Sequence, residues 1–238
     1  MNRSQEMTIW QHLDELRKRL LFSVIALIVA VVVCVIFADQ LIEIVVMPIG
    51  GLENLLSIEI TENIGVYFRV TLLAGFILSL PFLLVQLYMF VAPGLTQKER
   101  RWLIIAVPFA VLLFCGGAMF AYFVMLPAAI PFLVEFPGPD LIPKWQDYVN
   151  FVTNLIFWVG LSFETPLLMY VLAKLGIVDA KSLAGQWRIA IIAIAVIAAV
   201  ATPTPDPINM ALLMAPLFAL YLLGILLAAF ARRKESKE

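Results

Sequence analysis

Residues 20–38 read LLFSVIALIVAVVVCVIFA, an uninterrupted apolar run without a charge. As a helix this run reaches about 28 Å, close to the roughly 30 Å hydrocarbon core of a bilayer. It follows a charged stretch, as the apolar region of a signal peptide does, but it is too long for one. It also ends in Phe37-Ala38-Asp39-Gln40 without a small-residue cleavage site, so it reads as a retained first membrane helix. The composition agrees: 63% of the 238 residues are hydrophobic and 14% charged, against about 25% charge in soluble domains, and the mean hydropathy is +1.00. A lipid-facing barrel strand needs alternating segments of about ten residues, and these runs are continuous, so the chain is helical.

Further runs cover residues 64–91, 102–126, 149–173, 189–201 and 208–230. With the first they make six spans in a single integral membrane domain covering residues 1–238, an all-α polytopic fold. The fifth run is only about 20 Å long, so it must thin the bilayer or shelter behind its neighbours. The turn after it, Thr202-Pro203-Thr204-Pro205-Asp206-Pro207, cannot continue a helix and makes a hairpin. Pro81, Pro108, Pro166 and Pro216 fall inside runs, where kinks are expected. In the first loop, Glu43 to Ile49 is amphipathic and reads as a short surface helix ending near Pro48 and Gly50-Gly51.

Fourteen of the sixteen Lys and Arg residues lie on the side of the two termini, leaving Arg69 and Lys144 for the other. By the positive-inside rule both termini are cytoplasmic. A net charge of −1 gives no bulk attraction for nucleic acid. Cys34 and Cys115 lie in apolar runs without metal-ligand spacing, and His12 is the one histidine, so no metal or cofactor is indicated. With no HExxH, GxSxG or phosphate-cradling loop, enzyme chemistry is not expected.

A few polar residues are left over. In Gln11-His12-Leu13-Asp14-Glu15-Leu16-Arg17-Lys18-Arg19-Leu20 the leucines share one helical face. The cations can anchor to headgroups, but Glu15 among them is not needed for that. In Phe90-Val91-Ala92-Pro93-Gly94-Leu95-Thr96-Gln97-Lys98-Glu99-Arg100-Arg101 a helix stops at Pro-Gly before a basic loop, and Glu99 is either solvated there or set to face Glu15. Glu164, in Val159-Gly160-Leu161-Ser162-Phe163-Glu164-Thr165-Pro166, lies within the fourth span. A charge at the bilayer centre costs about 2.5–3.5 kcal/mol, so such a carboxylate is a functional candidate by default; the ordinary alternative is a carboxyl tucked against backbone freed by Pro166. Asp206 reads most simply as a turn cap.

Taken together, His12-Leu13-x-Glu15-Leu16-Arg17-x-Arg19-Leu20, Phe90-x-x-Pro93-Gly94-Leu95 with Glu99-Arg100-Arg101, Phe120-Ala121-Tyr122-Phe123, Ser162-Phe163-Glu164-x-Pro166 and Thr204-Pro205-Asp206 resemble, in order and spacing, the TatC family. This is the six-helix core subunit of the twin-arginine protein translocase. The resemblance implies a cup-shaped helix assembly with short fifth and sixth helices in the bacterial cytoplasmic membrane. It also implies a receptor for the twin-arginine signal peptides of folded precursors, oligomeric in the active complex, working with TatA/TatB-type single-span partners and driven by the proton-motive force. Residue by residue, it implies that Glu15 and Glu99 bind the paired arginines with Arg17 and Phe90 at the same surface, and that Glu164 is an intramembrane carboxylate on the concave side. Leu16, Pro48, Pro93, Tyr122 and Asp206 correspond to further family positions. One departure is that Asn209-Met210 stands where many members carry Ser-Gln.

The chemistry suits that role, since two guanidinium groups call for two carboxylates able to accept paired hydrogen bonds. The rival is a small proton-coupled secondary transporter using Glu164, against which stands the lack of repeated halves or of a second intramembrane ionisable partner.

Overall fold

The charged stretch before the first apolar run contains neither Gly nor Pro and is rich in Leu, Glu, Arg, Lys and Gln, good helix formers. It therefore joins the run in one helix, α1 (Ile9–Ile36). The computed structural model describes residues 9–134, 142–201 and 207–233; the proline-rich turn with Asp206 lies outside them. After a single turn residue, Phe37, comes α2 (Ala38–Val46). It then tightens into a turn over Met47–Ile49, with Pro48 inside it and Gly50 closing it at φ +90°, a backbone that a side chain disfavours. The surface helix expected at 43–49 is present but begins five residues earlier.

α3 (Glu62–Val91) and α4 (Gln97–Phe120) follow. α4 continues through a π-helical turn, Ala121–Met125, into α5 (Leu126–Val134). Pro127 explains the widened turn, because it cannot donate to the helix and its ring would strike the carbonyl four residues before it. α6 (Trp145–Phe163) and α7 (Thr165–Lys174) are one span broken at Glu164, with Pro166 in the first turn of α7. Pro81, Pro108 and Pro216 stay inside their helices. α8 (Ala180–Gly185), α9 (Trp187–Ala201) and α10 (Pro207–Arg233) complete the chain.

Five segments are long and apolar enough to cross a membrane: Trp10–Ile36, Glu62–Gly94, Glu99–Pro131, Trp145–Lys174 and Leu213–Ala231; Trp187–Ala201 is a shorter sixth. α9 is the short helix at 15 residues, about 22 Å. α10, expected to be short as well, runs 27 residues, because its apolar sequence continues past Pro216. Contacts sort the helix ends into two groups. At one end the start of α1 meets the end of α3 through His12 and Phe90, Lys174 of α7 lies over Trp102 of α4, and Ala228 and Ala231 of α10 pack on Ala173. This is the termini end. The other end holds α2, the turn after α4, and the start of α6, tied by a bridge between Leu56 and Lys144; it is the loop end, and the buried core of Val66, Val70, Met125, Leu126, Val149 and Val152 lies there.

In lipid, helix pairs gain little from burying apolar surface and associate where small residues let backbones approach. A Cβ on Gly117 of α4 would sit 2.9 Å from the Gly160 Cα of α6 and 2.7 Å from Phe163 Cγ, whereas one on the neighbouring Gly116 meets nothing within 4 Å. A Cβ on Gly75 of α3 would lie 2.9 Å from the Val31 backbone of α1. Gly117→Ala should therefore lower thermal stability in detergent by about 1–3 kcal/mol, while Gly116→Ala leaves it unchanged or slightly raised. Equal melting temperatures for the two variants would remove the close approach as a determinant of the fold.

Candidate functional site

At the termini end the leucine face of α1 points away from the protein: Leu13 and Leu20 are 51% and 56% exposed. Lipid accepts those side chains, and the face that packs on α3 is the polar one. The His12 ring stacks on Phe90 with centroids 4.4 Å apart. Glu15 Oε1 holds Arg19 through Nε at 2.6 Å and Nη2 at 2.5 Å. The Arg19 Nη1 reaches over to Gln86 Oε1 at 3.1 Å and Met89 Sδ at 3.2 Å. Glu15 and Phe90 are thus brought to one α1–α3 seam. Leu16 is half-buried, and Arg17 and Pro93 are exposed, Pro93 in the turn Ala92–Gly94 that ends α3.

Glu99 sits in the first turn of α4, where Thr96 and Glu99 form a reciprocal cap. Its Oε2 accepts the Thr96 N–H and the Thr96 hydroxyl, both at 2.7 Å, satisfying a helix-end donor. The side chain borders an almost wholly apolar groove of about 360 Å³ between α4, α7 and α10, with Trp102, Tyr170, Lys174 and Leu223 among its walls. The next residue, Arg100, donates to the Tyr88 hydroxyl at 3.2 Å. Gln86, Met89 and Phe90 share one face of α3, and Tyr88 lies on the opposite face at 100° per residue. Both carboxylates thus lie at the termini end, Glu15 on α1 beside the Gln86–Phe90 face of α3 and Glu99 at the start of α4, each bonded within its own segment.

Glu164 occupies the break between α6 and α7. Its carboxyl lies against the Phe114 backbone of α4, and Oε1 is buried with no hydrogen-bond partner among the described residues. The carboxyl is thus not spent on backbone that Pro166 frees, and a buried oxygen without a donor is costly.

At the loop end, Pro48 and Tyr122 are linked through a carbonyl. Pro48 cannot donate to Ile44 four residues before it, and the Tyr122 hydroxyl supplies that bond at 2.6 Å. Tyr148 serves Val45 O at 2.9 Å, the Met47 N–H serves Glu43 O, and Gly51 N–H serves Val46 O at 3.2 Å. All four terminal carbonyls of α2 are satisfied. Asp206 lies outside the described residues, as does the Asn209 side chain.

Two residues carry more than the sequence suggests. Glu62, 3% exposed, clamps the preceding loop by accepting from Ser57 Oγ, Ile58 N and Glu59 N at 3.0, 2.7 and 3.2 Å; an acidic residue opening an apolar run was its only signal. Arg69, counted above as a loop-side charge, lies seven residues inside α3 and donates to Thr153 and Asn154 of α6.

Apolar helices with polar groups gathered at their two ends and a half-buried carboxylate, Glu164, between them define a polytopic helical membrane protein. Residues 11–216 match the family model described as Sec-independent protein translocase protein (TatC). The chain is 39% identical over 233 residues to the Sec-independent protein translocase protein TatC of Deinococcus radiodurans, covering 94% of this chain and 86% of the relative. It is 34% identical to the chloroplastic TATC of Pisum sativum, over 96% of this chain and 66% of that one. A crystal structure described as the twin arginine translocase receptor TatC superposes with a TM-score of 0.84 at 33% identity, covering 93% of this chain and 99% of that one. The chain belongs to the TatC family, multi-pass membrane components of the Sec-independent protein translocase, which are not enzymes.

Replacing Tyr122 by Phe should cost about 1 kcal/mol through the orphaned Ile44 carbonyl. Pro48→Ala restores an N–H at the position that can serve it, so the double variant should melt above the sum of the two single effects. Simple additivity in detergent melting would disprove the link.

Proposed function

We propose that this chain is the signal-peptide receptor of the translocase, with its termini end in the cytoplasm, and that Glu15 and Glu99 bind the paired arginines of precursors. The relative of solved structure is described as a receptor. The observation that supports the reading is that Glu15, on α1 against α3, and Glu99, at the start of α4, both lie at the termini end. Successive side chains of an extended peptide point to opposite sides. A twin-arginine segment lying across Phe90 to Gly94 would send one guanidinium toward Glu15 and the other toward Glu99. Each carboxylate keeps one oxygen free of the bonds described above, Oε2 of Glu15 and Oε1 of Glu99, and charge-assisted bonds of guanidinium to carboxylate are strong and geometrically selective. The apolar groove beside Glu99 supports the same direction of approach.

The remaining parts of the proposal rest on the family resemblance. Precursors cross the bacterial cytoplasmic membrane folded, with TatA/TatB-type single-span partners in an oligomeric complex, powered by the proton-motive force. Membership of a translocase family displaces the small-transporter alternative for Glu164. The buried, unpartnered Glu164 Oε1 suits a group used after recognition.

Photo-crosslinking of Arg-Arg and Lys-Lys signal peptides to the purified chain in nanodiscs tests recognition. The Arg-Arg peptide should crosslink near both Glu15 and Glu99, and Glu99→Gln should weaken its binding roughly tenfold, the loss of about 1.4 kcal/mol. Equal crosslinking by both peptides overturns the assignment. Glu164→Ala should leave peptide affinity within about twofold while export in reconstituted vesicles falls; loss of peptide binding in Glu164→Ala but not in Glu99→Gln would reverse the two roles.

A further inference from the structure

Arg69 stands seven residues into α3, about 10 Å along the axis from Glu62, and no further charge follows until Lys98. The apolar segment Glu62–Gly94 has 33 residues, about 50 Å against a hydrocarbon core of about 30 Å. A centred span overshoots by about 10 Å at each end, which sets Arg69 at the boundary between acyl chains and headgroups on the loop side. Tyr67, 41% exposed, stands at the same end, as aromatic side chains do at that boundary.

The guanidinium is half-buried. Its Nε donates to Thr153 Oγ1 at 2.8 Å and its Nη2 to Asn154 Oδ1 at 2.7 Å, both neutral acceptors. No carboxylate among the described residues pairs with it. Asp39 accepts from the Tyr67 hydroxyl, Glu62 is occupied by its loop, and Asp147 is exposed about two turns nearer the loop end of α6. With one lone pair of the Asn154 oxygen turned to Arg69, what the pair has left to offer is mostly donors: Nη1, the second Nη2–H and the Asn154 amide. A positive charge ringed by spare donors at headgroup depth calls for an anion with several acceptor oxygens. One turn further in, Leu72 is 52% exposed, and Phe68 beside Arg69 is 63% exposed, apolar surface against which an acyl chain can lie.

We propose that Arg69 and Asn154 form a binding site for the phosphodiester of a phospholipid in the loop-side leaflet, seated where α3 meets α6. The full chain is purified in detergent, stripped of lipid and titrated with phosphatidylglycerol, and bound lipid is counted by native mass spectrometry. Wild type should hold one phospholipid roughly tenfold more tightly than Arg69→Gln, with Arg69→Lys between them. Asn154→Ala should weaken retention by a smaller factor, and it provides the comparison should Arg69→Gln fail to give folded protein. Inorganic phosphate at millimolar concentration should not displace the lipid. Equal retention by wild type and the folded variants overturns the proposal, and displacement by inorganic phosphate does so by showing a small-anion site. Loss of a co-purifying single-span protein from Arg69→Gln without loss of lipid would overturn it in favour of a helix carboxylate.

Discussion

A bilayer interior offers no water to a freed carbonyl or amide, so every interruption of a helix must bring its own hydrogen-bond partner. Much of this molecule is arranged around that requirement. At α2 the last turn is closed by two tyrosines from α6 and from the turn after α4, so the cost of ending a helix at Pro48 becomes a tie between three segments. Ahead of Pro127 the cost is absorbed by widening the helix. At Pro166 the span breaks instead, and the break holds a carboxyl with an oxygen left bare. Of these three responses, only the last leaves an unmet demand.

Packing between spans follows from the same solvent. Backbones meet at Gly75 and Val31 and at Gly117 and Gly160, where van der Waals contact replaces the hydrophobic effect. Polar crossings such as Arg19 to Gln86 and Arg69 to Asn154 then set which faces meet. The leucines of α1 are free to look outward because lipid is as good a neighbour as protein.

Membrane class and span count were legible because twenty-residue apolar runs have a single physical use. The shortness of α9 was equally visible in its run length, and Pro48, Tyr122, Glu164 and Phe90 stood out by resemblance. What could not be read was pairing. Nothing in the first loop says that Tyr122, 78 residues on, serves the carbonyl that Pro48 leaves open. The leucine face of α1 was visible as a pattern, but amphipathicity in lipid does not say which face the protein covers. The run at 208–230 already gave nearly the whole of α10, and it was the family resemblance that implied a short helix there. Whether Glu99 is solvated or faces Glu15 was left open by the sequence, because the placement of two residues 84 positions apart depends on how α1, α3 and α4 pack.

The ion pair between Glu15 and Arg19 has a consequence for the proposed receptor. An arriving guanidinium meets a carboxylate that is already paired, so it either shares that carboxylate or trades places with an equal. In a trade, the count of ion pairs before and after is the same. Net affinity must then come from elsewhere along the peptide, and the receptor can surrender its cargo without ever exposing a naked charge. Such a site is suited to turnover: it discriminates by shape among cations while holding none of them so tightly that release becomes the slow step.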